Sequence, residues 1–156
     1  MPYDLEDSQT FIISINCSTF NTNGDVSQVT LPMNLRFAAD MLVLKSIAYN
    51  ARHGNQADEN DMVQIWCNIT NDQIIGSFPN AGTSNIPVST YLNSHYRLNN
   101  SFQTGNLVFQ LQQTDGAGTA SYNPQALISL QNQQRTFGVV TLTIEFVKLK
   151  KIRFVL

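Results

Sequence analysis

The sequence predicts an all-β fold, an antiparallel sandwich in one domain. Three observations carry this expectation. The first is the stretch Gly138–Leu149, where Val140, Leu142, Ile144 and Phe146 alternate with Thr141, Thr143 and Glu145. Side chains of an extended chain alternate between faces, so this is a strand with one apolar side, built from residue types that suit a pleated surface. The second is that short runs of the same kind recur between Gly, Pro and Asn turns, with no helical periodicity of comparable strength. The third is position. A strand so late in the chain needs partners from far earlier, which is how sandwiches and barrels close.

The elements follow in order. Residues 1–8 read as a polar N-terminal arm. Thr10–Thr19 is a strand with Phe11, Ile13, Ile15 and Cys17 on one face, and Asn21-Thr22-Asn23-Gly24-Asp25 turns the chain. Val26–Leu31 is a short strand expected to stop at Pro32, which has no N–H for a ladder. Met33–Asp40 is ambiguous, with one or two helical turns possible. Met41–Ala51 reads as a strand with Met41, Val43, Ile47 and Tyr49 on one face, and one amphipathic helix over 35–49 is the competing reading. A polar loop, 53–61, precedes the strand Met62–Thr70, and Gln73–Phe78 is another. Asn80–Asn100 reads as a long loop with a short strand at Val88–Leu92, and a loop of that length is often functional. Asn106–Gln112 alternates Leu107, Phe109 and Leu111 against Val108 and Gln110. Thr114–Gly118 is a turn, and Ala126–Leu130 a short apolar segment. About eight strands in two sheets is the jelly-roll count. The expected organisation is an arm at 1–8, a jelly-roll domain at 9–149 and a basic tail at 150–156.

At 156 residues the chain suits one domain, which needs no staples to bury a core. Only 13% of residues are charged, about half the usual share, whereas Asn and Gln together number 30. Uncharged amides on polar faces suit surfaces that meet other protein surfaces. A net charge of −2 gives no general field for nucleic acid or a membrane. The start Met-Pro-Tyr-Asp-Leu-Glu-Asp is acidic and lacks the apolar stretch of a signal peptide, and no apolar run is long enough for a membrane helix. Cys17 and Cys67 are fifty residues apart within strand patterns and read as small buried thiols.

Reactive chemistry has little to draw on. His53 and His95 are the two histidines and fall in loop-like surroundings. Asp58-Glu59-Asn60-Asp61 lacks the alternating ligands and central Gly of a calcium loop. No Gly-x-Ser-x-Gly elbow or phosphate-binding glycine loop occurs. The expectation is a protein without catalytic, cofactor-binding or metal-binding residues. The clearest charge feature is the C-terminal Lys148, Lys150, Lys151 and Arg153, interleaved with Leu149, Ile152 and Phe154. These four are the candidate interface residues. They can tie down a neighbouring chain, by strand addition for example, or simply be solvated; nucleic acid is the least favoured partner.

The order of segments also resembles a known group. A strand near the N-terminus is followed by Leu42–Asn50, Val63–Asn71, Ile74–Phe78, Leu107–Leu111 before an Asp-Gly turn, and finally Leu142–Phe146. This looks like the small single-jelly-roll structural proteins of double-stranded DNA viruses, virophages and polinton-like viruses in particular. The resemblance covers about residues 9–149 and implies a capsid component located in the virion. The implied roles are a penton at the five-fold vertices, a minor capsid protein, or the head of a vertex spike. Partners would be further copies in a cyclic oligomer, a pentamer before a trimer, and the major capsid protein of the same virus. A receptor- or glycan-binding head would offer Trp66, Tyr91, Tyr96 or Tyr122 for stacking.

Overall fold

The computed structural model describes residues 5–16, 28–51, 62–79, 86–113 and 139–151. All the regular structure among them is strand. β1 is Leu5–Asn16, β2 Gln28–Ala51, β3 Met62–Cys67, β4 Ile74–Pro79, β5 Ile86–Gln113 and β6 Val139–Leu149. They form one antiparallel sheet, in the order β1-β6-β2-β5-β3-β4, that curls into a half-barrel.

The curl comes from the two long strands. β2 and β5 pair from Gln28↔Gln110 to Asn34↔Thr104 and again from Met41↔Arg97 onward, with only Ala39↔Phe102 between. The ribbon bends through 35–40 and 98–103. The lower half of β2 pairs with the half of β5 that also carries β3, whereas its upper half lies between β5 and β6. Leu35, Phe37 and Ala39 alternate inward at the bend and are buried. Beyond it, at φ +153°, Gly105 takes a backbone conformation that suits glycine.

The curl brings β4 back over β2. The Tyr49 and Phe78 rings pack at a tilt of 34° with centroids 4.5 Å apart, and a Cβ added to Gly76 would sit 2.9 Å from the Leu44 side chain. One apolar core fills the concave side. Val140, Leu142, Ile144 and Phe146 are fully buried, as are Leu107 and Phe109, with Leu111 almost so, as the alternation in both segments requires. Phe146 meets Phe11 edge-on and stacks on Phe102, which joins β1, β6 and β5.

Several expectations need correction. Met33–Asp40 is strand and holds no helical turn, and 35–49 is not a helix. Pro32 does not stop a strand; β2 runs through it, paired with Asn106, with the proline exposed. The long loop at 80–100 is strand from Ile86 onward, because β5 pairs with β2 through residues that carry no apolar period of their own. Met41 and Val43 do not share a face with Ile47 and Tyr49. Lys45 is an extra residue between Leu44↔Ile144 and Ser46↔Thr143, and this bulge reverses the phase of β2. Ile47 and Tyr49 therefore join the main core, whereas Met41 and Val43 form a second cluster on the convex face with Val147, against Leu5 and Leu149. Leu5–Ser8, read as part of an arm, belong to β1. Cys17, His53, Asp58–Asp61, the turn at 114–118, Ala126–Leu130 and Arg153 lie outside the described residues.

Candidate functional site

Strand pairing gives the molecule two distinct ends. Pro79 pairs with Met62, and the contacts of β4 on β2 run in step, Gly76 by Leu44 and Phe78 by Tyr49. Met62, Pro79, Ala51, Ile86, Gln113, Gln28, Asn16 and Val139, the described residues that flank 17–27, 52–61, 80–85 and 114–138, thus all lie toward one end. The opposite end holds the bends 35–40 and 98–103, the turn 68–73, and the outer limits of β1 and β6. Backbone bonds lock these pieces together: Asn71 N–H donates to Arg97 O at 2.9 Å, and Asn99 N–H to Ile69 O at 2.8 Å.

Most of the described charged residues lie at the second end. Among the described residues every charged side chain lies there except Lys45 and Glu145. Three of the four predicted interface residues meet at this end. Lys148 in β6 reaches Glu6 at 3.3 Å, whereas Lys150 and Lys151 follow the strand and are exposed. Two partners that sequence reasoning missed complete the surroundings. Asp40 accepts a hydrogen bond from Leu149 N–H at 3.0 Å, holding β6 in place where its ladder with β2 has ended. Arg97 arrives opposite Met41 through the β2–β5 register. Asp40, Met41, Arg97, Leu98, Leu149, Lys150 and Lys151 line a recess of about 310 Å³, and Glu6, Lys148, Lys150 and Lys151 line another of about 490 Å³. On the far side Arg36 donates to Asp7 at 3.1 Å and to Ser8 O at 2.9 Å, tying the bend of β2 to β1. No local signal marks Arg97 or Asp40, since only the register brings them beside residue 149.

Among the described residues the walls between the ends are nearly free of charge, Lys45 and Glu145 apart. On the convex face the registers Ile12↔Thr143, Ser46↔Thr143 and Ser46↔Tyr91 define one row across β1, β6, β2 and β5. The next row is Ser14, Thr141, Ala48 and Ser89. Toward the charged end, Glu145 lies between Thr10 and Val43, and its Oε1 is buried without a hydrogen-bond partner. Among the described residues, Ile12 and Tyr91 are the large apolar side chains that stand out in solvent, 73% and 85% exposed.

No group of three or more His, Cys, Asp or Glu capable of holding a metal occurs among the described residues. His95 lies in β5 opposite Val43. Cys67 is a buried free thiol, and burial pushes both it and the Tyr49 hydroxyl above their ordinary pKa values. Trp66 and Tyr96 are partly buried, and Tyr122 lies outside the described residues. Among those described, no helix is long and apolar enough to cross a membrane.

No protein-family model and no curated protein sequence matches the chain. Among solved structures it is similar to the Drosophila NLP core, at 13% identity over 92% of this chain and 100% of that one, with a TM-score of 0.39. That structure is described as giving insight into pentamer formation and histone binding. Two viral proteins are also similar. Desmodium yellow mottle tymovirus matches at 10% identity over 98% of this chain and 95% of that one, with a TM-score of 0.28. The VP2 subviral particle of infectious bursal disease virus matches at 10% identity over 94% of this chain and 38% of that one, with a TM-score of 0.36. With TM-scores below 0.5, these likenesses carry no functional assignment.

Proposed function

We propose that the chain is a non-enzymatic structural protein of a virus, a single jelly roll that forms the penton at the five-fold vertices of an icosahedral capsid. The observation that carries this reading is the strand pairing. Divided at their bends, β2 and β5 give four segments, so the sheet counts eight segments in two sets of four. One set runs β1, β6, upper β2, lower-numbered β5; the other runs lower β2, higher-numbered β5, β3, β4. This is the order left when one long antiparallel ribbon wraps around a core, as it does in a jelly roll. The segment pairs β1·β6, the two β2·β5 halves and β3·β4 are its successive rungs.

The charge distribution supports the capsid role. Walls without charge desolvate cheaply when copies pack side by side, whereas ionised walls would resist it. A contact repeated head to tail closes into a ring, so the expected assembly is a cyclic homo-oligomer, a pentamer before a trimer. Lys148, Lys150, Lys151 and Arg153 at the charged end would then tie the ring to neighbours, the major capsid protein of the same virus among them. Mass photometry of the purified chain tests the ring, and density at the five-fold vertices of virions tests its place. A chain that stays monomeric and is missing from virions overturns the reading.

The second reading, a glycan-binding head of a vertex spike, draws on the exposed ring of Tyr91. Selective binding on a glycan array that is lost in Tyr91→Ala would favour it.

A further inference from the structure

The four-stranded convex wall ends in two open margins. Among the described residues β1 pairs with β6 alone, and the 86–96 part of β5 pairs with β2 alone. Open strand edges are templates for further pairing, and proteins ordinarily guard them with charge. Among the described residues no charge guards either margin. Thr10–Ser14 on β1 and Ser89–Asn93 on β5 contain no charged residue. Each instead exposes a large apolar side chain, Ile12 on one margin and Tyr91 on the other, and these are the two ends of a single row.

Strand direction supplies the decisive constraint. Neighbouring strands in β1-β6-β2-β5 are antiparallel throughout, so the outermost two run in opposite directions. A second copy rotated about an axis along the strands brings its β1 beside the first copy's β5, and the two strands meet antiparallel. The alternation of the sheet then continues unbroken from copy to copy. The row carrying Thr143 and Ser46 would continue too, with Tyr91 of one copy set beside Ile12 of the next.

We infer that the ring closes through this contact: the β1 margin of each copy docks on the 89–93 margin of its neighbour, with Ile12 and Tyr91 as the paired apolar anchors. The inference rests on the cyclic-oligomer reading above and names its interface. It is heterologous, since two different patches meet, and such contacts generate rings when the rotation closes. Strand addition supplies main-chain hydrogen bonds, and the apolar pair supplies burial and register.

Charge substitution and cross-linking of the full chain test it. Ile12→Lys and Tyr91→Glu each place a charge against an apolar neighbour, which should weaken each contact roughly a hundredfold and leave monomers at micromolar concentration. The double variant Ile12→Lys/Tyr91→Glu sets opposite charges face to face in every contact and should regain the ring. Circular dichroism and melting of each variant separate lost assembly from lost folding, both side chains being exposed. In a Cys17→Ser background, Ile12→Cys with Tyr91→Cys should cross-link under oxidation into a ladder ending at a closed ring, whereas each single cysteine variant should not. Cross-links formed by Ile12→Cys alone would indicate a two-fold contact and overturn the proposal. Rings indifferent to both charge substitutions would overturn the proposal and leave the cyclic reading standing; a wild-type chain monomeric at every concentration would remove both.

Discussion

At the scale of single residues, Asp40, Gly76 and Cys67 each decide something local. Asp40 holds the last amide of β6, Leu149 N–H, after the backbone ladder has ended. Asp40→Ala should cost about 1 kcal/mol and speed hydrogen exchange at the Leu149 amide, whereas Asp40→Asn should keep most of the bond. Gly76 faces Leu44, Ile47 and Ile65 so closely that a Cβ would meet the Leu44 side chain at 2.9 Å. Leu44 is fully buried and has little room to yield. Gly76→Ala should therefore destabilise by about 1–3 kcal/mol, read as a lower denaturation midpoint at unchanged slope. Cys67 is buried, and burial raises its pKa, as it does that of Tyr49. The unfolded chain gives up these protons at lower pH than the folded one. Their contribution to stability is full below the unfolded pKa values and declines as pH rises through roughly 8.5 and then 10. Thiol-reactive dye should label Cys67 in the native protein only as fast as it opens, and denaturation midpoints should fall across that alkaline range.

At the scale of elements, β2 shows how one residue sets which side chains are core. Before Lys45 the odd-numbered Met41 and Val43 face outward; after it Ile47 and Tyr49 face inward. Deleting Lys45 while keeping the registers on either side is impossible without turning one half of the strand over. The deletion should abolish the cooperative unfolding transition, whereas Lys45→Ala should leave it nearly intact. Phe146 is the aromatic centre where β1, β5 and β6 meet, with Phe11 and Phe102 on its ring. Phe146→Ala should cost about 3–5 kcal/mol, measured by denaturant unfolding.

At the scale of the whole molecule, the charged side chains among the described residues gather at one end, Lys45 and Glu145 apart. If the wall contact closes the ring, the ring should be nearly insensitive to salt, because few charges are screened there. The charged end should behave differently. On the proposed capsid role, Lys150→Glu with Lys151→Glu should leave the ring intact in mass photometry while reducing its incorporation into capsids. A ring that falls apart with this pair would move the copy-to-copy contact to the charged end.

Alternation alone determined much of this protein. Val140–Phe146, Leu107–Leu111 and Phe11–Ile15 are legible as strands with known inner faces because a half-buried strand writes its environment into every second residue. The shortage of charge and the surplus of amides were legible as well, together with the basic stretch from Lys148 onward. The tertiary structure alone decided what depends on pairing. Residues 86–100 are strand because β2 supplies their partners, Pro32 is tolerated within β2, and Lys45 reverses the phase of the strand. Pairing also placed Arg97 and Asp40 beside Lys150, and Ile12 in one row with Tyr91. The physical reason is that a strand's hydrogen bonds and neighbours lie on other parts of the chain. Its own residues record which face is buried, and the register alone says what stands beside it.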